Sequence, residues 1–127
     1  MDDLVRSLHR CDPRVSLIDA LIEAILAQGA SQIPQPDDVA RFELVRSTPS
    51  LLEEMRNRHA RYEAHLAEWI ARRVGRDTAD VDVRVVAACL IAIRRVVMED
   101  AIRTGADLAE AERLLRRALG MLHPPFD

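Results

Sequence analysis

Apolar residues recur along this chain at the three- and four-residue spacing of helices, and they divide it into six segments. Leu4, Val5 and Leu8 mark a short first one, Asp2 to Arg10, with no residue ahead of it able to serve as an N-cap. Val15, Ile18, Leu21, Ile22 and Ile25 continue the pattern in a second. The spacing predicts that it starts at Asp12 and Pro13, with Asp as cap and Pro at the first helical position, and ends at Gln28-Gly29. Residues 29–37, which hold Pro34 and Pro36, form the longest loop and the one expected to be most flexible. Val39, Phe42 and Val45 define a third helix from Asp38 to Arg46. Thr48 and Pro49 then cap and open a long fourth helix that runs to Val74, where Gly75 is a natural left-handed terminator. Its inward stripe is Leu51, Leu52, Met55, Tyr62, Leu66, Trp69 and Ile70. Glu53 and Glu54 suit its positive end, and Arg72 and Arg73 its negative one.

The fifth segment begins ambiguously. Val81, Val83 and Val85 alternate with Asp82 and Arg84, a strand signal. The chain then continues without a turn residue through the apolar run Val85 to Ile93, and no second β-rich run exists to pair with it. With Asp77-x-x-Asp80 as a start signal, the segment is expected to be a helix to about Thr104. So apolar a helix must be covered on most sides, by its own fold or by a partner. Gly105 ends it, and Asp107-x-x-Glu110 has the form of a capping box for a sixth helix. That helix carries Leu108, Ala111, Leu115, Ala118 and Leu122 on one face, and pairs Glu112 with Arg116 outside. Pro124-Pro125 closes the chain.

Composition narrows the class. A chain of 127 residues that is 49% hydrophobic and 31% charged fits one folded domain, and its shortage of Gly, Pro and aromatic residues favours helices over a sheet. The net charge is −3, and all 18 cations are Arg, so no basic excess marks a nucleic-acid surface. The acidic start lacks a secretory core, and Asp82, Arg84, Arg94 and Arg95 break up the most apolar stretch. Neither signal peptide nor membrane span is expected, and Cys11 and Cys89 should be free thiols in a reducing cytoplasm.

One block, Arg41-Phe42-Glu43-Leu44-Val45-Arg46-Ser47-Thr48-Pro49-Ser50-Leu51, is followed by a long helix holding Leu66-Ala67-Glu68-Trp69-Ile70-Ala71-Arg72-Arg73-Val74-Gly75-Arg76-Asp77. An Ala/Val-rich helix and a final amphipathic one come next. This order and spacing, from about Leu4 to Leu122, resembles the C-terminal domain of tetracycline-repressor-type (TetR family) transcriptional regulators. Regulators of that family begin with a helix-turn-helix domain of roughly fifty residues that reads DNA, and nothing here corresponds to it. The resemblance therefore implies that DNA is met only through a domain missing from this chain, with truncation favoured over a natural short protein. It also implies one all-α domain over 1–127: residues 1–10 the rest of a linking helix, 12–75 the effector-pocket helices, and 77–122 the dimerisation helices. The last two helices would pair with their copies in a homodimer, and an apolar or amphipathic small molecule would bind among the others. Binding would change the spacing of two DNA readers.

Candidate residues follow from both readings. Met55, His59, Tyr62 and Leu66 share a stripe of the fourth helix, where a few polar tips among apolar neighbours suit an effector pocket. Ile22, Phe42, Arg46 and Cys89 could line it from neighbouring helices, with Arg46 meeting an acidic head group. The dimer face is expected at Ile93, Val97, Leu108, Ala111, Leu115, Ala118 and Leu122. His59 and Glu63 form an i, i+4 pair, but no third ligand matches and His65 points elsewhere, so neither metal nor cofactor is expected. Every carboxylate serves as a cap or an outer-face charge and no glycine loop could cradle phosphate, so the chain is not expected to be an enzyme. The cluster Arg72, Arg73, Arg76 and Arg84 is accounted for by a helix dipole and by Asp77, Asp80 and Asp82. The rival readings are a ligand-free helical adaptor for a partner protein and a stand-alone domain that sequesters full-length relatives.

Overall fold

A computed structural model describes residues 2–30, 36–122 and 126. Among these residues there are six helices and no strand: α1 (Asp2–Arg10), α2 (Leu17–Ala30), α3 (Pro36–Ser47), α4 (Pro49–Val74), α5 (Val81–Thr104) and α6 (Leu108–Leu119). The strand-like alternation at Val81 to Val85 is resolved as helix. Asp80 sits ahead of it with its carboxylate accepting from the amides of Asp82 (2.8 Å) and Val83 (3.4 Å), which fixes the first turn. Gly75 and Gly105 close α4 and α5 in the left-handed region, at φ of 71° and 68°, as their places after the last apolar residue imply. Thr48 occupies the cap position of α4 without a side-chain cap bond, and Pro49 opens the helix. Asp107 caps α6 by accepting from the Glu110 amide at 2.9 Å. The Glu110 carboxylate pairs with Arg113.

Three helices have boundaries that differ from expectation. α2 starts at Leu17, four residues beyond Pro13. The Asp12 carboxylate is engaged by the Arg14 amide and guanidinium, which folds residues 12–16 into a turn, and Ser16 Oγ takes over as acceptor for the Asp19 amide at 3.2 Å. α3 begins earlier, at Pro36, and ends one residue later, at Ser47. α6 stops at Leu119, so Leu122 lies past its end, half-buried against the core. Of the loop expected over residues 29–37, Gly29 and Ala30 belong to α2 and Pro36 and Asp37 to α3, and residues 31–35 lie outside the described residues.

The six-residue connection 75–80 folds α5 back along α4. α1 packs on α2 and α4, α6 on α5 and α2, and α3 on α4 and α5. The solid core lies towards the α4–α5 turn. There Leu8, Leu21, Ile70, Val83, Leu90, Leu115 and Leu119 are each at most 2% exposed, and Trp69, Ala67 and Ala87 fill the space between them. The other end of the α4–α5 pair, where α3 lies across α4 and α5, is built differently on its α3 side. No described residue of α3, and none from Pro49 to His65 in α4, is fully buried. One face of α4 thus passes from a closed core into an open cleft along its own length.

Candidate functional site

The open end contains two adjoining clefts. The larger, about 710 Å³, is lined by Leu52, Met55, Arg56, His59, Ala60 and Glu63 from α4, Arg95 and Glu99 from α5, and Arg46 from α3. The smaller, about 320 Å³, lies between α3 and α5, with Val39, Phe42, Glu43 and Arg46 facing Val96, Glu99, Asp100, Ile102 and Arg103. Arg46 and Glu99 border both clefts, from opposite walls. Each falls in the size range of small-molecule sites, roughly 300–1,000 Å³. Apolar and charged groups alternate around them, a lining suited to an amphipathic molecule.

Each wall has a local reason. Thr48 and Pro49 turn the chain sharply between α3 and α4, which puts the Phe42 face of α3 over the first half of α4. Arg46 lies over the Phe42 ring at 5.7 Å, near enough for a cation–π contact, and 4.0 Å from the Glu43 carboxylate. On α5, Arg95 and Glu99 are an i, i+4 ion pair at 3.4 Å. His59 stands 6.3 Å from Tyr62, ring to ring, with the planes tilted by 43°. Partial burial pushes the His59 imidazole below its ordinary value, and the charges of Arg94, Arg95 and Arg58 push the same way against the opposing pull of Glu99. The shift favours the neutral imidazole, which can both donate and accept one hydrogen bond. Burial also lowers Arg94, while Tyr62 acts in the opposite direction.

Of the pocket residues expected from sequence, Met55, His59, Phe42 and Arg46 line these clefts. Leu66 and Ile22 are 3% exposed and belong to the solid core, and Tyr62 is half-buried against it. Cys89 is half-buried and borders neither cleft. The stripe Met55–His59–Tyr62–Leu66 is one face of the helix, as its spacing requires, but its lower part joins the core beside α1 while α3 leaves the upper part open. Leu52, Arg56, Ala60 and Glu63 were missed, although they flank Met55 and His59 at one, three or four residues and the same turn geometry points to them. Arg95 and Glu99 had their own signal, opposite charges spaced by four just after the apolar run Val85 to Ile93.

The residues expected at a dimer face divide as well. Val97 and Leu115 are buried, at 8% and 2% exposure, and Ile93, Ala118 and Leu122 pack half-buried on the same core. Ala111 is half-buried and Leu108 is exposed. The apolar surface left open on α5 is instead Val81, Val85 and Val96, a stripe at spacings of four and eleven residues.

No group of three or more His, Cys, Asp or Glu residues is placed to hold a metal ion, and no helix is long and apolar enough to cross a membrane, among the described residues. No curated protein and no solved structure gave a significant match. The family model for the MftR C-terminal domain matches residues 15–127, which covers α2 to α6 and the closing segment. The chain belongs to that family, the C-terminal domains of TetR-type transcriptional regulators.

Proposed function

We propose that the paired clefts between α3, α4 and α5 are the effector site of a cytoplasmic transcriptional regulator, and that they take a small apolar or amphipathic molecule. The observation that carries this reading is the contrast between the two ends of the α4–α5 pair. One end spends its Leu, Ile and Val on a closed core, while the other leaves Phe42, Leu52, Met55 and Ile102 lining open space beside charged groups. Water in that space gains little from the apolar walls, so a molecule that covers them is stabilised by roughly 25 cal/mol per Å² of apolar surface removed from solvent. In the reading proposed, α1 links this domain to a DNA reader, and α5 with α6 pairs the subunit with a second copy. An effector then acts only through its differential affinity for two placements of α1.

Binding of Nile red, an uncharged apolar dye, tests the site. The chain is expected to bring the dye into fluorescence saturably, and Met55→Arg to weaken the interaction at least tenfold. Absence of saturable binding, or equal affinity in Met55→Arg, refutes the reading. The proposed pairing is tested by light scattering across concentration. Val85, 52% exposed on α5, is the residue whose change to Arg should convert a dimer into a monomer of unchanged helix content. A wild-type chain that is monomeric at high concentration removes the dimer from the proposal.

A further inference from the structure

We propose that Arg73 is a latch that ties the α1–α2 junction to α4, so that a displacement of α4 at the cleft is passed to α1. The inference rests on the effector reading above for its purpose, but not for its geometry.

Near the end of α4, the Arg73 guanidinium lies over the Trp69 ring at 5.4 Å. Trp69 is 7% exposed and fixed in the core, so it holds the guanidinium in one place. From there one guanidinium nitrogen donates to two main-chain carbonyls of the junction, Pro13 at 3.4 Å and Val15 more closely. These contacts span 58 and 60 residues of sequence. The junction is the turn that Asp12 and Ser16 build between α1 and α2. It is also tied to both helices by the Cys11 thiol, which donates towards the Ser7 carbonyl at 3.3 Å and the Ala20 carbonyl at 3.7 Å. The carbonyls of a tight turn otherwise face water, so a guanidinium brought to them from another helix fixes the turn's position as well as its shape.

The upstream end of the same rod is the cleft wall. His59 and Arg73 are fourteen residues apart on an unbroken α4 of 26 residues, roughly 21 Å along its axis at 1.5 Å per residue. α1 makes its contacts with α2 and α4, whereas the clefts are bordered by α3, α4 and α5. α4 is the element that touches both, and Arg73 is its hydrogen-bonding side chain at the junction.

A double-mutant cycle read by hydrogen exchange tests the latch without any effector. Ala60→Trp places an indole on the wall of the larger cleft, and Arg73→Gln removes the stacked guanidinium. The readout is exchange at the amides of Cys11, Val15, Asp19 and Ala20, all bonded within the junction. Arg73→Gln is expected to speed their exchange about tenfold, the factor that one hydrogen bond to a charged group is worth. Ala60→Trp is expected to change it in the parent chain and to have no further effect once Arg73 is replaced. A simply structural Arg73 gives additive effects instead, since independent sites this far apart add. Additivity, or no response to Ala60→Trp in either background, overturns the proposal. Should Arg73→Gln fail to fold, Arg73→Lys keeps the charge and loses the stacked fork, and the same cycle decides. Because the cycle uses no ligand, its failure is separate from the failure of dye binding.

Discussion

The contrast between a closed core and an open cleft on the same two helices is measurable by truncating one residue on each side. Leu90 of α5 is 1% exposed and lies in the core with Ile70 and Val83. Replacing a buried Leu with Ala removes its transfer free energy and leaves a cavity, for a cost of about 2–5 kcal/mol. Met55 of α4 is only half-buried and already borders a cleft of about 710 Å³. Its truncation to Ala creates little new cavity, because the space beside it is open before the change. The cost should therefore be limited to part of the transfer energy and stay below about 1 kcal/mol. A chain of this length loses roughly 4 °C of melting temperature per kcal/mol. Leu90→Ala should then melt about 8–20 °C lower than the parent, and Met55→Ala within about 4 °C of it. Urea unfolding followed by circular dichroism, with all variants at one protein concentration, supplies the free energies directly. If Met55→Ala costs as much as Leu90→Ala, α3 packs over α4 as tightly as the core does, and the cleft on which the functional reading rests is closed in solution.

Two further perturbations probe other parts of the fold. His59 titrates below its ordinary value in the folded chain, so the unfolded chain binds its proton more readily. Its contribution to stability is intact above about pH 6.5 and is lost as pH falls through the folded value. Urea midpoints at pH 7.5 and 5.5 should show a smaller acid loss for His59→Gln than for the parent, and an equal loss refutes the assignment. Gly75, at φ of 71° with open space around its Cα, has room for a side chain but not the backbone freedom, so Gly75→Ala should cost about 1 kcal/mol by thermal melting. A stabilised variant would show that α4 ends differently.

The helices were legible because their signals are local. Caps at Asp80 and Asp107, terminators at Gly75 and Gly105, and Pro49 at a helix start each act within one turn, and all are found where the spacing put them. The error at α2 has the same scale. Asp12 and Ser16 are both competent caps, and which one opens the helix depended on Arg14, which captures the Asp12 carboxylate for the turn. The candidate site was half legible, for a different reason. Periodicity states that Met55, His59, Tyr62 and Leu66 share a face but carries no information about which helix lies opposite each of them. The answer changes between His59 and Leu66, where α3 gives way to α1 and the core.

The same logic bears on the apolar surplus of α5. Its length and hydropathy state that it needs cover on most sides, and α4 and α6 supply much of that through Val83, Val86, Leu90, Ile91, Val97 and Leu115. What remains uncovered is a narrower stripe of small, β-branched side chains, Val81, Val85 and Val96, with Ala92 exposed between them. Side chains of this size let a second helix approach closely while giving up little rotamer freedom on burial. A partner surface built on them is therefore shallower and further towards the start of α5 than the leucine face of α6 suggests. Only Leu108 of the α6 residues expected there remains exposed to join it. The interface proposed for two copies thus depends chiefly on α5, and that is why Val85 rather than Leu115 is the position at which a charge should separate dimer from fold. Leu115→Arg would bury a guanidinium in the core of each subunit and unfold it, whereas Val85→Arg charges only a surface that solvent already reaches.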